Sequence, residues 1–456
     1  MHVNVVWQLR FRRVGVIGQG YIGLPIAVLL ANSGVEVVGY DVDRSLVEEL
    51  RKGITRLNER DLKDLLKKAI STGKYRPSYK KEDLMGIDAA IIAVPTPKFS
   101  DGNPDLSFLE DAIRTAARYV GKNGLIVVES TLPPGSSGMI MNWLKQEERS
   151  DLMIAYCPER ALPGRLIEEI TGNTRIIGAD SLEAARAAED LYRLFIRGDI
   201  VHTSFRTAEV VKLVENAYRD VNIAFSNEVA RICELLGVDF WEVMELANRH
   251  PRVNLLRAGL GVGGPCLTKD PLFLYHAGRK LGYEPLMIFE ARNVNDSGPY
   301  RYARIVHEVM DLVGCNGRRR IAVLGVTYKE GVSDTRESPS EKFIKFFLEK
   351  GYDVVVYDPR SDETFGGARA GSIEEAISGS DCVALLVGHP EFRDLEISRI
   401  RSLSGKDNLI LFDATGILRH QDKKGVIYIG VGLPIPYPAI KRMEKIYPHK
   451  GLSGEV

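Results

Sequence analysis

Hydrophobic and polar positions alternate in two distinct rhythms along this chain. Through about the first 200 residues, short β-branched runs are separated by amphipathic stretches of helical period, the pattern of strands crossed over by helices. The runs that predict strands are Val14–Ile17, Val35–Tyr40, Ala89–Val94, Leu125–Glu129 and Met153–Tyr156, with a helix from Gly23 through Leu30 after the first. From Arg206 to Gly237 the period becomes that of one long helix, with Val210, Leu213, Val214, Ala217, Val221, Ala224, Phe225 and Ile232 apolar. So broad an apolar face suits a bridge between domains or a dimer core. Further helical stretches reach Leu312, interrupted by a glycine-rich loop. Past Gly317 the pattern restarts: RRIAVLG (Arg319–Gly325) echoes RRVGVIG (Arg12–Gly18), and KGYDVVVYDP (Lys350–Pro359) echoes SGVEVVGYDV (Ser33–Val42). The fold class is therefore α/β, with a mostly parallel, doubly wound sheet up to about residue 200 and a second strand–helix–strand unit of the same kind past Gly317. The expected boundaries are 1–202, 203–316 and 317–456.

The first strand runs directly into GQGYIG, Gly18–Gly23. In such a fingerprint Gly18 permits the tight turn, Gly20 lets the backbone approach a pyrophosphate, and Gly23 lets the helix pack close to the strand. The amides of the helix N-terminus then face the anion. Asp41 ends the second strand at the spacing of about 20 residues expected for an acid that holds the ribose hydroxyls and repels a 2′-phosphate, which selects NAD over NADP. Three other strands end in VPTP (Val94–Pro97), ESTLPPG (Glu129–Gly135) and CPERALPG (Cys157–Gly164). Strand carboxyl ends are where such sheets bind ligands, so Thr96, Thr131 and Glu159 face the expected site.

The second copy departs from the first. Gly18 and Asp41 are 23 positions apart, Gly325 and Asp358 are 33 apart, and the second and third glycines are gone. The longer turn carries KEGVSDTRESP (Lys329–Pro339), whose Lys329 and Arg336 are suited to phosphate. On the long helix Lys212 and Asn216 are four apart and share a face. Last among the candidate chemistry is GVGGPCLTKDP (Gly261–Pro271), which sets Cys266 between a diglycine and Lys269/Asp270. A lone cysteine is more often a small buried hydrophobe than a nucleophile.

Composition narrows the partners. Sixty-one basic residues balance 61 acidic ones, so the field expected of a nucleic-acid binder is missing. The five cysteines are scattered and never in CxxC spacing, which argues against a disulfide framework or a zinc site and for a reducing, cytoplasmic compartment. No apolar run approaches the roughly 18 residues of a membrane span, and MHVNVVWQLRFRR is too polar for a secretory leader. The last twenty or so residues, rich in Pro, Lys and Gly, are expected to be a flexible end.

Taken together these motifs resemble the nucleotide-sugar 6-dehydrogenases, the UDP-glucose/GDP-mannose dehydrogenase family, over about residues 12–435. The resemblance implies two doubly wound, Rossmann-like domains joined by a long central helix and a helical dimerisation region, with NAD on the first α/β domain, UDP largely on the last, and a four-electron oxidation of a primary alcohol through a thioester on Cys266. It implies that Lys212 and Asn216 stabilise oxyanions, that Asp270 and Glu159 handle protons, that Thr131 positions water, and that Lys269 assists. Cofactor contacts would come from Gly18, Gly20, Tyr21, Ile22, Gly23, Asp41, Val94, Pro95, Thr96, Thr131 and Arg336. Substrate contacts would come from Glu159, Arg160, Lys212, Asn216, Asn254, Gly263, Lys329 and Arg252, the last reaching the site of the neighbouring subunit in a homodimer. PERALPG, GNTRIIG (Gly172–Gly178), ANRHPRVN (Ala247–Asn254) and DATG (Asp413–Gly416) are more like the UDP-N-acetylmannosamine branch. Pro265 and the LTKD ending depart from it, which keeps UDP-N-acetylglucosamine and UDP-glucose as alternatives. More remote are a two-electron 3-hydroxyacid-type dehydrogenase, which would need neither Cys266 nor the second α/β domain, and a non-catalytic nucleotide sensor.

Overall fold

The structure is a computed structural model that describes residues 11–161, 164–314 and 319–435. The terminal segment expected to be flexible, Leu162 and Pro163 of the PERALPG turn, and Cys315 lie outside the described residues. The chain divides into two compact units, Met1–Glu215 with Leu272–Tyr283, and Asn216–Pro271 with Glu284–Val456.

The first unit is built on eight strands: β1 (Arg13–Ile17), β2 (Glu36–Tyr40), β3 (Tyr75–Ser78), β4 (Ile87–Ile92), β5 (Val120–Val128), β6 (Met153–Tyr156), β7 (Arg175–Ala179) and β8 (Ile200–Thr203). Their order is β3-β2-β1-β4-β5-β6-β7-β8. All neighbours are parallel except β6 and β7, where Tyr156 pairs antiparallel with Gly178. The middle strands are apolar throughout because helices cover both faces of the sheet, so Val14, Val16, Ile91, Ile126 and Val127 are all wholly buried. Each such side chain contributes about 1.5–3 kcal/mol of burial.

The second unit repeats this plan with β9 (Arg320–Leu324), β10 (Asp353–Tyr357), β11 (Ala368–Arg369), β12 (Cys382–Leu385), β13 (Leu409–Asp413) and β14 (Val426–Gly430), ordered β11-β10-β9-β12-β13-β14 and parallel throughout. The duplication extends to hydrogen bonds. Gly18 N donates to Tyr40 O at 2.8 Å and Gly325 N to Tyr357 O at 2.9 Å. Gln19 N donates to Asp41 Oδ2 at 2.7 Å, and Val326 N to Asp358 Oδ2 at the same distance. One difference is decisive. Asp358 also receives the Nε2 of the wholly buried His389 at 3.2 Å, whose Nδ1 accepts from Gly331 N at 3.1 Å.

The long helix runs Phe205–Leu236 and is continuous across the boundary between the units. Its apolar face separates into two rows. Leu213, Ala217 and Ala224 are buried, while Val214, Tyr218, Phe225, Ile232 and Leu236 are exposed. Among the described residues no helix is long and apolar enough to cross a membrane.

Candidate active site

The GQGYIG turn has the geometry that a dinucleotide requires. Gly18 sits at φ +92°, and a Cβ there would lie 2.4 Å from Ala93 O. A Cβ on Gly23 would lie 1.8 Å from Gly18 O, so the helix Gly23–Asn32 can approach β1 only with glycine at its first position. Gly20 is different, with no heavy atom within 4 Å of its would-be Cβ. Its backbone therefore faces open space beside the helix N-terminus, which is the cradle a pyrophosphate fits. Asp41 is fixed by Gln19 N on one oxygen and Asp43 N, at 2.9 Å, on the other, leaving further lone pairs for ribose hydroxyls. Tyr21 and Ile22 are half-buried in the turn; beyond β4, Val94 is half-buried, Pro95 exposed and Thr96 buried.

Beyond β5 and β6 the same unit gathers Glu129, Thr131, Glu159 and Lys212. Glu159 is buried; its Oε1 accepts from its neighbours Arg160 N and Ala161 N, at 2.5 and 2.7 Å, and its Oε2 from Arg175 at 2.9 Å. Lys212 Nζ donates to the Glu159 backbone carbonyl at 2.6 Å, so the long helix and the PER turn hold each other. Arg160 turns away to pair with Glu215. Thr131 is half-buried at the start of the turn. That turn is pinned by Glu209, whose carboxylate accepts from Gly135 N and Ser137 N at 2.7 and 2.9 Å.

The second unit holds the cysteine loop. Cys266 is exposed, whereas Cys157, Cys233 and Cys382 are buried, so among the described cysteines it is the accessible thiol. Its carbonyl accepts from Lys269 N and Asp270 N, which turns the chain into the helix Asp270–Lys280. Asp270 is wholly buried, with Asn216 Nδ2 2.5 Å from one oxygen and Lys269 Nζ 2.8 Å from the other. Asn216, Lys269 and Asp270 thus form one hydrogen-bonded chain beside the cysteine turn. Lys212 shares the helix face of Asn216 but belongs to the first unit with Glu159 and Thr131.

The diglycine has a packing reason. A Cβ on Gly264, at φ +86°, would lie 2.7 Å from the Tyr328 ring, and one on Gly263 would lie 2.6 Å from Glu337 O. Gly264 N also donates to Arg336 O. The cysteine loop and the KEGVSDTRESP turn are therefore docked backbone to ring, with Tyr328 half-buried between them. Burial first, then the neighbouring Asp334 and Cys266, push its phenol up to about 12. Further back, Pro299 has no N–H for Asn295 O, and the loop backbone at Gly261 packs onto that carbonyl. Arg336 forks onto Asp334 with its tip exposed.

A pocket of about 320 Å³ lies within the second unit at the carboxyl ends of β9, β12 and β13, lined by Tyr328, Lys329, Arg257, Gly388 and Thr415 among others. Here the turn keeps its acid anchor, Asp358, and adds a ring and a cation, Tyr328 and Lys329, to the pocket wall. Arg252 and Asn254 sit on an exposed loop that is held from behind: Asn222 of the long helix donates to Asn254 O at 2.7 Å and accepts from Leu256 N. Sequence patterning singles out neither Tyr328 nor Arg175. Arg175 lies inside GNTRIIG and Tyr328 immediately precedes KEGVSDTRESP, and only their contacts mark them.

An NAD-binding fold coupled to a second nucleotide-type unit and an accessible thiol defines an NAD-dependent oxidoreductase. Three domain signatures of one family match the chain: its NAD binding domain over residues 12–196, its central domain over 206–297 and its UDP binding domain over 322–420. The chain belongs to the UDP-glucose/GDP-mannose dehydrogenase family. It is 39% identical over 427 residues to a UDP-N-acetyl-D-mannosamine dehydrogenase of Pyrococcus horikoshii, covering 92% of this chain and 99% of that one. It is 40% identical over 411 residues to an NDP-N-acetyl-D-galactosaminuronic acid dehydrogenase of Ralstonia nicotianae, covering 86% and 94%. Among solved structures it is similar to a UDP-glucose dehydrogenase of Pyrobaculum islandicum, with a TM-score of 0.84, 30% identity and 94% and 99% coverage.

Proposed function

We propose that the chain oxidises C6 of UDP-N-acetyl-D-mannosamine to the carboxylate, in two steps joined by a covalent bond to Cys266. The observation that carries this reading is the exposed Cys266 thiol beside the Asn216–Asp270–Lys269 chain, in a protein with an NAD fold. NAD, when bound, accepts the hydride of each oxidation. The alcohol is first taken to the aldehyde, with Lys212 and Asn216 stabilising the alkoxide. Cys266 Sγ then adds to the aldehyde carbon to give a thiohemiacetal, so that the reactive aldehyde is not lost to solvent. Its oxidation leaves a thioester, and water cleaves the C–S bond to free the carboxylate and the thiol. Asp270 and Glu159 take up protons, and Thr131 orients the water. Lys269 orients the Asp270 carboxylate through its Nζ contact at 2.8 Å. Gly18, Gly20, Tyr21, Ile22, Gly23, Asp41, Val94, Pro95, Thr96 and Thr131 hold the cofactor, with Arg336 on its diphosphate. Lys329 and Gly263 take the UDP-sugar in the second unit, and Arg160 supports the PER turn.

The working form is a homodimer in a reducing, cytoplasmic compartment. The exposed row on the long helix, with Tyr218, Phe225 and Ile232 spaced by sevens, supports self-association. Arg252 and Asn254, exposed on their loop, then complete the substrate site of the neighbouring subunit. The choice of sugar rests on the names of relatives near 39% identity. NADH release measured with UDP-N-acetylmannosamine, UDP-N-acetylglucosamine, UDP-N-acetylgalactosamine, UDP-glucose and GDP-mannose tests it, and the expected result is fastest turnover with the first and two NADH per sugar consumed. One NADH per sugar, or Cys266→Ser with near-normal uronate formation, would refute the covalent route.

A further inference from the structure

Between β5, β6 and β7, wholly inside the first unit, Glu159 belongs to a charged cluster whose other members, Arg175, Glu129 and Tyr192, neither the cofactor nor the thiol chemistry uses. Its centre is Arg175, whose side chain is 4% exposed. The antiparallel reversal puts it there. Tyr156 of β6 pairs with Gly178 of β7, so the beginning of β7, rather than its end, lies at the carboxyl edge of the sheet. Continuing that register by three residues sets Arg175 opposite Glu159. A parallel β7 would have carried Arg175 to the far edge.

One guanidinium faces two carboxylates. Arg175 Nη1 is 2.9 Å from Glu159 Oε2 and 3.4 Å from Glu129 Oε2, and both acids are buried. The Tyr192 hydroxyl donates a short hydrogen bond to Glu129 Oε1, and the Tyr192 ring lies under the guanidinium, 5.0 Å from ring centre to Cζ. Arg175 Nη2 is buried without a hydrogen-bond partner. In a dry site two carboxylates sharing one cation leave an excess negative charge, and such a pair titrates as a unit. Glu129 bears the effect: burial pushes it up to about 7, with Arg175 opposing and Glu159 adding to the rise, and Tyr192 and Lys212 opposing it further. The buried Cys157 thiol borders the same cluster.

We propose that Arg175 and Glu129 are positioning residues for Glu159, with the two carboxylates competing for one guanidinium so that the proton on Glu129 sets how firmly Glu159 is held. With Glu129 protonated, Arg175 belongs to Glu159 alone. With Glu129 ionised the guanidinium is divided between the two carboxylates and holds Glu159 less firmly. This deepens the assignment of Glu159 as a proton-handling carboxylate and rests on it.

The test is the pH dependence of kcat, from pH 5 to 9 with saturating NAD and UDP-sugar, for the wild type, Glu129→Gln, Tyr192→Phe and Glu159→Gln. The wild type is expected to show an acid limb near neutrality. Glu129→Gln removes the competing charge and should move that limb down by about one pH unit. Tyr192→Phe removes a donor to the ionised form of Glu129 and should move it up, which keeps the test available if Glu129→Gln folds poorly. A merely structural role would lower kcat at every pH without moving the limb. If the limb stays in place in both variants while Glu159→Gln abolishes turnover, the positioning proposal is overturned and the role of Glu159 stands. If Glu159→Gln turns over like the wild type, the role of Glu159 fails and the proposal falls with it.

Discussion

Replacing Gly264 by alanine perturbs the thiol through a single methyl group. Gly264 is held at φ +86°, where a residue with a Cβ is strained by about 1–2 kcal/mol. The new Cβ would also meet three atoms of the Tyr328 ring at 2.7, 2.8 and 3.1 Å, all closer than ordinary contact. That ring is half-buried beneath the loop, and overpacking of this kind adds roughly 1–3 kcal/mol. The total, about 2–5 kcal/mol, corresponds to a fall in melting temperature on the order of 10 °C for a unit of this size. If the loop instead relaxes to relieve the clash, Cys266 moves with it, and a misplacement near 1 Å costs about 100-fold in rate. Gly20→Ala is the matched control, because its Cβ meets nothing within 4 Å. It should leave the melting temperature unchanged and raise the KM for NAD by obstructing the pyrophosphate. The assays are thermal melting, NAD binding by fluorescence, and NADH release with saturating UDP-sugar. Gly264→Ala should keep NAD affinity while losing stability or turnover. A Gly264→Ala protein with wild-type melting temperature and turnover within twofold would show that the Tyr328 docking does not fix the thiol.

Three further outcomes are expected. Glu129 is raised from the ordinary 4.5 to about 7, mainly by burial, so its stabilising contribution is complete below pH 4.5 and is lost as pH rises through 7; Glu129→Gln should flatten the decline in melting temperature across that window, and an unchanged slope would remove Glu129 as its cause. Phe225→Asp, at a 57% exposed position on the long helix, should shift the protein from dimer to monomer in sedimentation, and a dimer of wild-type affinity would exclude that face as the interface. Mixed Arg252→Ala and Cys266→Ala subunits, each inactive alone, should recover part of the activity in hybrid dimers, whereas no recovery after verified subunit exchange would place Arg252 outside the neighbouring site.

Much of this architecture is legible in the chain because its signals are local. β6 follows the run Met153–Tyr156 residue for residue, and the long helix lies within one residue of the periodic stretch Arg206–Gly237. Gly23 is needed where the fingerprint places it because of Gly18 O, five residues away in the chain, and Gly18 by its φ of +92° as well as by its approach to Ala93 O just past β4. What escapes the sequence depends on topology. Arg175 lies in the GNTRIIG segment, but nothing in that segment points to Glu159, and only the reversal between β6 and β7 brings the two together. Tyr328 is one aromatic among many until the loop containing Gly263 and Gly264, more than 60 residues earlier, folds onto its ring. The apolar positions of the long helix do not reveal which row faces the core, since Leu213 and Val214 are adjacent and have opposite fates.

The internal repeat carries a consequence for stoichiometry. A chain with two copies of one nucleotide-binding plan has, by symmetry, two places for a dinucleotide. The second copy keeps the acid, Asp358, but a wholly buried histidine lies on it, and His389 is itself anchored by a backbone amide of the inserted turn. It stems from the same strand-end position as Thr96 in the first copy, each lying four residues beyond the last strand residue paired with β1 or β9, Ile92 and Leu385. A plug built into the hydrogen-bond framework does not yield to mass action at ordinary ligand concentrations. One dinucleotide per chain should therefore saturate the protein, and the duplicated half is left free to specialise in a different guest.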